Sequence, residues 1–321
     1  KMKDKKQNKR INGGHRLLFF CILCLFGLYV AVSYAEEQPQ REQSKTKVIL
    51  LHTDNLTYDQ YRHPGAQILT GNVQFQHDGV LMYCDSACFY EATNSFDAFG
   101  HVKMVQGDTL DLVGDMLLYN GLDQLARVRH NVVLTHRESK LYTDSLDYDR
   151  LYELGYFFEG GKLVDKDNVL TSDWGQYSPP TRQAVFNYNV KLENPKFTLI
   201  SDTLNYNTLT SMAEIVGPSN IDSGDNHIYS ESGFYNTQTE EAILLDRSIV
   251  TNKGRKMVGD SLYYDSKSGV GEGFRNVVYT DEVNKNMLTG NYCYYNDSTG
   301  YSMATDSAVA IDYSQRDTMY M

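Results

Sequence analysis

The chain has 321 residues and a formal net charge of −11, with 41 acidic against 30 basic side chains. That balance argues against a nucleic-acid binder, whose affinity rests on Lys and Arg neutralising phosphates, and against simple adhesion to an anionic membrane face. With 25 Tyr, 6 Pro and short apolar runs separated by Gly, Asn and Asp, the composition reads as strands and turns rather than helices.

The first 35 residues are a separate segment. Basic residues from Lys1 to Arg16 precede an apolar run from Leu17 to Val32, and Ser33-Tyr34-Ala35 places small residues before a cleavage point. This is the pattern of a secretory signal peptide. An uncleaved anchor is the alternative, because the run approaches the ~17 apolar residues that span a bilayer. Neither Cys21 nor Cys24 has the small residues before it that a lipoprotein signal requires. Cleavage leaves 23 basic and 40 acidic residues, a net charge of −17. It also leaves Cys84, Cys88 and Cys293. In one extended strand Cys84 and Cys88 would stand ~13 Å apart, too far for a disulfide, so packed or free thiols are expected unless a bulge intervenes. Residues 36–47 are polar and aperiodic and read as a disordered lead-in. Val48 opens the ordered body, residues 48–321.

That body repeats itself. Asp54-Asn-Leu56-Thr-Tyr58, Asp115-Met-Leu117-Leu-Tyr119, Asp144-Ser-Leu146-Asp-Tyr148, Asp202-Thr-Leu204-Asn-Tyr206 and Asp260-Ser-Leu262-Tyr-Tyr264 share the pattern D-x-L-x-Y. Degenerate copies start at Asp85, Asp173, Glu231 and Asn291, and successive starts are 31, 30, 29, 29, 29, 29, 29 and 31 residues apart. So tight a period marks one elongated repeat body rather than two ordinary domains. Between these blocks recurs a second one: Asn72-Val73-Gln-Phe75, His101-Val102-Lys-Met104, Asn131-Val132-Val-Leu134, Asn189-Val190-Lys-Leu192 and Asn276-Val277-Val-Tyr279. Each repeat therefore predicts two strands joined by turns, and no helix longer than two turns. Gly71 and Gly100 stand where a strand begins after a bend.

Within the blocks apolar and polar residues alternate, so each strand buries one face. Leu146 and Tyr148 are expected inside, Ser145 and Asp147 in solvent, with the same parity at Leu204/Tyr206 and Leu262/Tyr264. Stacking one Asp per strand ~4.8 Å apart would be repulsive, whereas two antiparallel strands per repeat separate equivalent Asp residues by ~9.6 Å. Each Asp then reads as a residue accepting backbone N–H bonds where a strand starts or bends. Trp174-Gly175 and Pro179-Pro180 predict a local distortion within 155–200. The strand rhythm runs up to Met321 and the chain starts at Lys1 rather than Met, so the natural protein is expected to extend further.

No catalytic signature is present: there is no G-x-S-x-G, H-E-x-x-H or phosphate-binding Gly loop, and the His residues are scattered singly. The reading is of a non-enzyme without a cofactor or metal. What the repeat offers is an apolar seam. Leu56, Tyr58, Leu117, Tyr119, Leu146, Tyr148, Leu204, Tyr206, Leu262 and Tyr264 would line one side of it. Val73, Phe75, Val102, Met104, Val132, Leu134, Val190 and Leu192 would face them. If the two sides meet fully the seam is a core. If they splay it is a trough suited to acyl chains, each buried CH₂ contributing ~0.8 kcal/mol.

A signal peptide followed by D-x-L-x-Y and G-N-V-x-F repeats resembles the OstA-like family, which includes the periplasmic lipopolysaccharide-bridge protein LptA and the amino-terminal domain of LptD. The resemblance is carried by Thr53–Tyr58, Thr70–Phe75, Ala98–Met104, Gly114–Tyr119, Thr143–Tyr148 and Gly259–Asp265. It implies an all-β, V-shaped stack of antiparallel strands (a β-jellyroll or β-taco), a periplasmic location with outer-membrane association left open, and lipopolysaccharide acyl chains as ligand. End-to-end contact with itself or with other Lpt-type jellyrolls is implied as well. The chain is about twice as long as a minimal bridge protein and lacks the pattern of a membrane β-barrel. Two other readings stand beside it: an exported structural or adhesin repeat with a sealed core, and a polysaccharide-active β-helix enzyme.

Overall fold

The computed structural model describes residues 44–314 and 319–320. The expected signal segment and most of the lead-in fall outside them. The described body is all β, built from antiparallel strands in which each unbroken strand pairs with the next, and the two pieces of an interrupted strand pair side by side with the same neighbour. Among the described residues the sole helical turn is Glu91–Thr93. Full strands such as Gln67–His77, Leu110–Asn120 and Phe197–Asn207 run 11 residues, and their neighbours 11 or 12, so each repeat supplies two.

Every long strand is bent at its middle, where the pairing register slips, for example between Thr70 and Val73, Phe99 and Val102, and Leu245 and Ser248. On alternate strands the bends share one backbone device. Consecutive residues take a left-handed conformation: Gly71-Asn72, Gly100-His101, His130-Asn131, Tyr188-Asn189 and Arg275-Asn276. Non-glycine residues adopt that conformation at a cost, and Asn is among the few that tolerate it. At Gly71 and Gly100 even a Cβ would collide with the carboxylates of Asp54 and Asp85, 2.4 Å away in both cases.

The bends fold the sheet into two facing arms. One arm ends mostly in two-residue turns such as Asp78-Gly79 and Lys253-Gly254, with residues 107–109 and 282–285 forming longer ones, and the other in four-residue turns such as Thr208–Ser211 and Thr237–Glu240. In the second set the backbone closes from Ser211 N–H to the Asn207 carbonyl and from Glu240 N–H to the Asn236 carbonyl. Successive four-residue turns are tied together, as by Thr237 N–H to the Ser211 carbonyl at 3.0 Å. Side chains from the two arms interlock: Phe75 of the first arm stacks on Phe96 of the second at 4.1 Å, and Phe197 meets Tyr235 edge-on at 4.8 Å.

The repeated Asp and Asn residues meet along the fold line. Asn72 donates to Asp54 at 2.9 Å, Asn131 to Asp115 at 2.6 Å, Asn189 to Asp173 at 2.7 Å and Asn276 to Asp260 at 2.7 Å, while His101 takes the Asn role toward Asp85 at 2.7 Å. The Asp residues do sit at bends, but here their partners are side chains of the adjacent strand rather than backbone N–H groups. Each pair spans one strand step and fixes the bend of both strands.

The expected parity holds for Leu146/Tyr148, Leu204/Tyr206 and Leu262/Tyr264, all buried. Ser145 differs from expectation: it points outward yet is buried, because Glu159 from the next strand lies over it and accepts its hydroxyl at 2.5 Å. The distortion expected in 155–200 is present. Phe158–Gly160 and Asp173 interrupt two successive strands, giving Leu154–Phe157, Gly161–Asp165, Asn168–Ser172 and Trp174–Ser178. Pro179-Pro180 occupies a four-residue turn, where no strand pairing is lost. Cys84, Cys88 and Cys293 are free thiols, and burial pushes Cys84 up to about 12 and Cys293 up to about 11.

Candidate functional site

The seam between the arms follows directly from the repeat. The Leu and Tyr of D-x-L-x-Y lie on the second arm, just past the bend, and the Val and its apolar partner of N-V-x-F lie on the first. Of the 18 residues assigned to the seam from sequence, 16 are at most 2% exposed: Val73, Phe75, Val102, Met104, Leu117, Tyr119, Val132, Leu134, Leu146, Tyr148, Val190, Leu192, Leu204, Tyr206, Leu262 and Tyr264. The other two, Leu56 and Tyr58, are 52% and 58% exposed. Leu56 pairs with the buried Leu69 and points the same way, but its strand is the outermost of the sheet among the described residues, so its flank is open.

The interior is filled by its own side chains. A gap lined by Val250, Met257, Tyr264, Gly271, Tyr279 and Tyr295 has a volume of 20 Å³, room for a single water. At the open side of the fold, polar groups join the two arms. The Tyr119 hydroxyl meets His77 Nδ1 at 2.7 Å and the Arg150 guanidinium, and the Tyr177 hydroxyl meets His136 Nδ1 at 2.8 Å. Tyr206 donates to Asp165 at 2.8 Å and accepts from Asn168 at 2.9 Å. Tyr264 donates to Asn226 at 2.8 Å, and Arg255 donates to Tyr295 at 2.8 Å. Tyr148 and Tyr235 are the exceptions, their buried hydroxyls having no hydrogen-bond partner. Burial raises the phenol pKa at Tyr119, Tyr148 and Tyr206 and lowers the imidazole pKa at His77 and His136, so these groups stay neutral at pH 7.

These cross-arm partners were absent from the sequence reading. A signal for them existed: in N-V-x-F-x-polar the sixth residue shares the inward parity of the Val. His77, His136 and Asp281 occupy that place and are buried, while Gln106 and Asn194 occupy it half-buried. A polar residue at an inward position asks for a partner.

One end of the mouth carries a strap. Ser44 N–H donates to the Leu122 carbonyl at 2.8 Å, Thr46 Oγ1 donates to Asp78 at 2.6 Å, and Val48 N–H donates to Asn94 Oδ1 at 2.7 Å. Leu122 and Asn94 belong to turns of one arm and Asp78 to a turn of the other, so residues 44–48 cross the opening. Among the described residues no group of three His, Cys, Asp or Glu is placed to hold a metal ion.

A family model described as OstA-like protein matches residues 45–202 and 196–260, two thirds of the chain. The chain belongs to the OstA-like family. The OstA-like match takes in eight of the repeat starts, from Asp54 to Asp260, and both seam-lining blocks. No curated protein matches this OstA-like chain. Among solved structures it is similar to LptH of Pseudomonas aeruginosa, described as the LptA homologous periplasmic component of the conserved lipopolysaccharide transport device. That likeness has 16% identity and a TM-score of 0.32, covering 34% of this chain and 82% of LptH.

Proposed function

We propose that this OstA-like chain is a non-enzymatic segment of a periplasmic lipopolysaccharide-transport bridge, and that acyl chains pass between its two arms. The observation that carries this reading is family membership joined to an apolar interior that runs unbroken through every repeat. As described, the seam is closed, so cargo must part the arms. Parting them breaks a cross-arm bond at each repeat, at a net ~0.5–1.5 kcal/mol apiece. A chain of about a dozen CH₂ groups returns ~10 kcal/mol on burial, enough to offset several such bonds. The outermost strand Ile49–His52 leaves Ile49 and Leu51 54% and 49% exposed, which supports end-to-end contact with a similar jellyroll.

The filled interior favours a second reading, a sealed structural repeat. One experiment separates the two. A photo-crosslinking residue at Leu146 or Leu204 is expected to capture lipopolysaccharide in a lipopolysaccharide-producing host, whereas the same residue at Asn205 is not. Equal labelling at inward and outward positions, in protein with an intact β circular dichroism spectrum, would leave only the structural reading.

A further inference from the structure

Midway along the mouth, Arg137 and Arg182 face it from opposite arms. Arg137 opens the two-residue turn after the strand Leu125–His136, and Arg182 closes the four-residue turn after Trp174–Ser178. Both backbones are left-handed, with φ of 55° and 56°. Both are anchored, Arg137 N–H on the Thr109 carbonyl at 3.0 Å and the Arg182 carbonyl under Thr208 N–H at 3.0 Å. His136 lies between them, held to Tyr177, and its pKa is lowered first by burial, then by Arg182 and then by Arg137.

Neither guanidinium makes an ion pair with a carboxylate among the described residues. This contrasts with Arg129 on Asp147, Arg247 on Asp260 and Arg255 on Asp281. Two depressions, of 260 and 370 Å³, flank the pair and share Arg137, Arg182 and His136 as lining. The first adds Lys166, whose Nζ reaches Ser211 on the other arm at 3.0 Å. The carboxylates there are Glu138 and Asp165 in the first and Glu153 in the second, so across the two depressions three carboxylates stand against the three cations Arg137, Arg182 and Lys166. Asp165 is engaged by Ser139 and Tyr206, and Glu153 by Gln106.

We propose that Arg137 and Arg182 form a clamp for a phosphate group at the mouth. A carboxylate offers two oxygens in one plane, and Asp147 shares them between Arg127 and Arg129 on one face of the sheet. A phosphate presents oxygens tetrahedrally and can engage two guanidiniums approaching from opposite sides. The clamp stands apart from whatever occupies the interior, because it lies outside the apolar seam.

The test is calorimetric titration of the purified chain with inorganic phosphate at low ionic strength, alongside co-sedimentation with phosphatidylcholine vesicles carrying phosphatidic acid. Saturable binding of either ligand is expected, weakened about tenfold or more by R137Q or R182Q, in line with loss of a charge-assisted hydrogen bond. R127Q, on the outer face, is expected to leave it unchanged. Binding of inorganic phosphate supports a site for the free ion, and binding of the vesicles alone supports a lipid-borne phosphate. Binding of neither, or equal binding by a folded R137Q/R182Q double variant, would overturn the clamp.

Discussion

Tyr148 and Tyr206 occupy the same place two repeats apart, yet only Tyr206 has partners for its hydroxyl. Opposite effects of one substitution follow. Tyr206→Phe leaves Asp165 and Asn168 short of a buried partner and is expected to cost about 1–3 kcal/mol. Tyr148→Phe removes an unpaired polar atom and is expected to be neutral or stabilising by up to about 1 kcal/mol. Urea denaturation of the two variants checks both signs. The seam also titrates. His77 and His136 have folded pKa values below the ordinary 6.5, so the unfolded chain takes up protons first as pH falls. Their contribution to stability is therefore intact above 6.5 and declines as pH drops below it toward the folded values. His101, raised by Asp85, pulls the other way but is exposed and screened. The urea midpoint is expected to fall from about pH 7.5 to about pH 5, and replacing both buried histidines with Gln is expected to flatten that slope.

The strands themselves were legible in the sequence because period-two alternation is a local property, visible in Val73-Gln74-Phe75-Gln76 without knowledge of any partner. The Leu/Tyr and Val/Phe faces followed from the same parity. What stayed hidden was the third dimension. Nothing in Asp115 alone says that its carboxylate meets Asn131 on the next strand, or that Tyr119 reaches back to His77, because both contacts depend on the bend and the facing of the arms. Ser145 was misjudged for a related reason: its cover, Glu159, comes from a bend that departs from the regular pattern. The bend residues give a test at this scale. Asn189 has φ 53° and bonds to Asp173, so Asn189→Gly keeps the conformation and loses one exposed hydrogen bond. Asn189→Val adds left-handed strain for a β-branched residue and is expected to be at least about 1 kcal/mol less stable than the Gly variant by urea melting.

Across the whole described body each strand touches mainly its two neighbours, so stability should grade along it as in other repeat proteins. Hydrogen exchange is expected to be fastest at Ile49–His52 and Val309–Asp312 and slowest in central strands such as Phe197–Asn207, a gradient that mass spectrometry of exchanged peptides would reveal or refute. The cross-arm bonds join residues 42, 41, 41, 38 and 40 positions apart, so each links a strand to one in the repeat after the next, counted from the Asp, Glu or Asn that starts each repeat. The alternation of two- and four-residue turns adds a constraint on how such a molecule can change size. Removing or inserting one strand would place a two-residue turn among four-residue ones and set every later tyrosine opposite the wrong partner. Removing or inserting two strands together restores both. The length of this molecule is thus quantised: it can grow or shrink only in whole repeats of 29 to 31 residues, such as Asp202–Ser230, each adding about 9.6 Å.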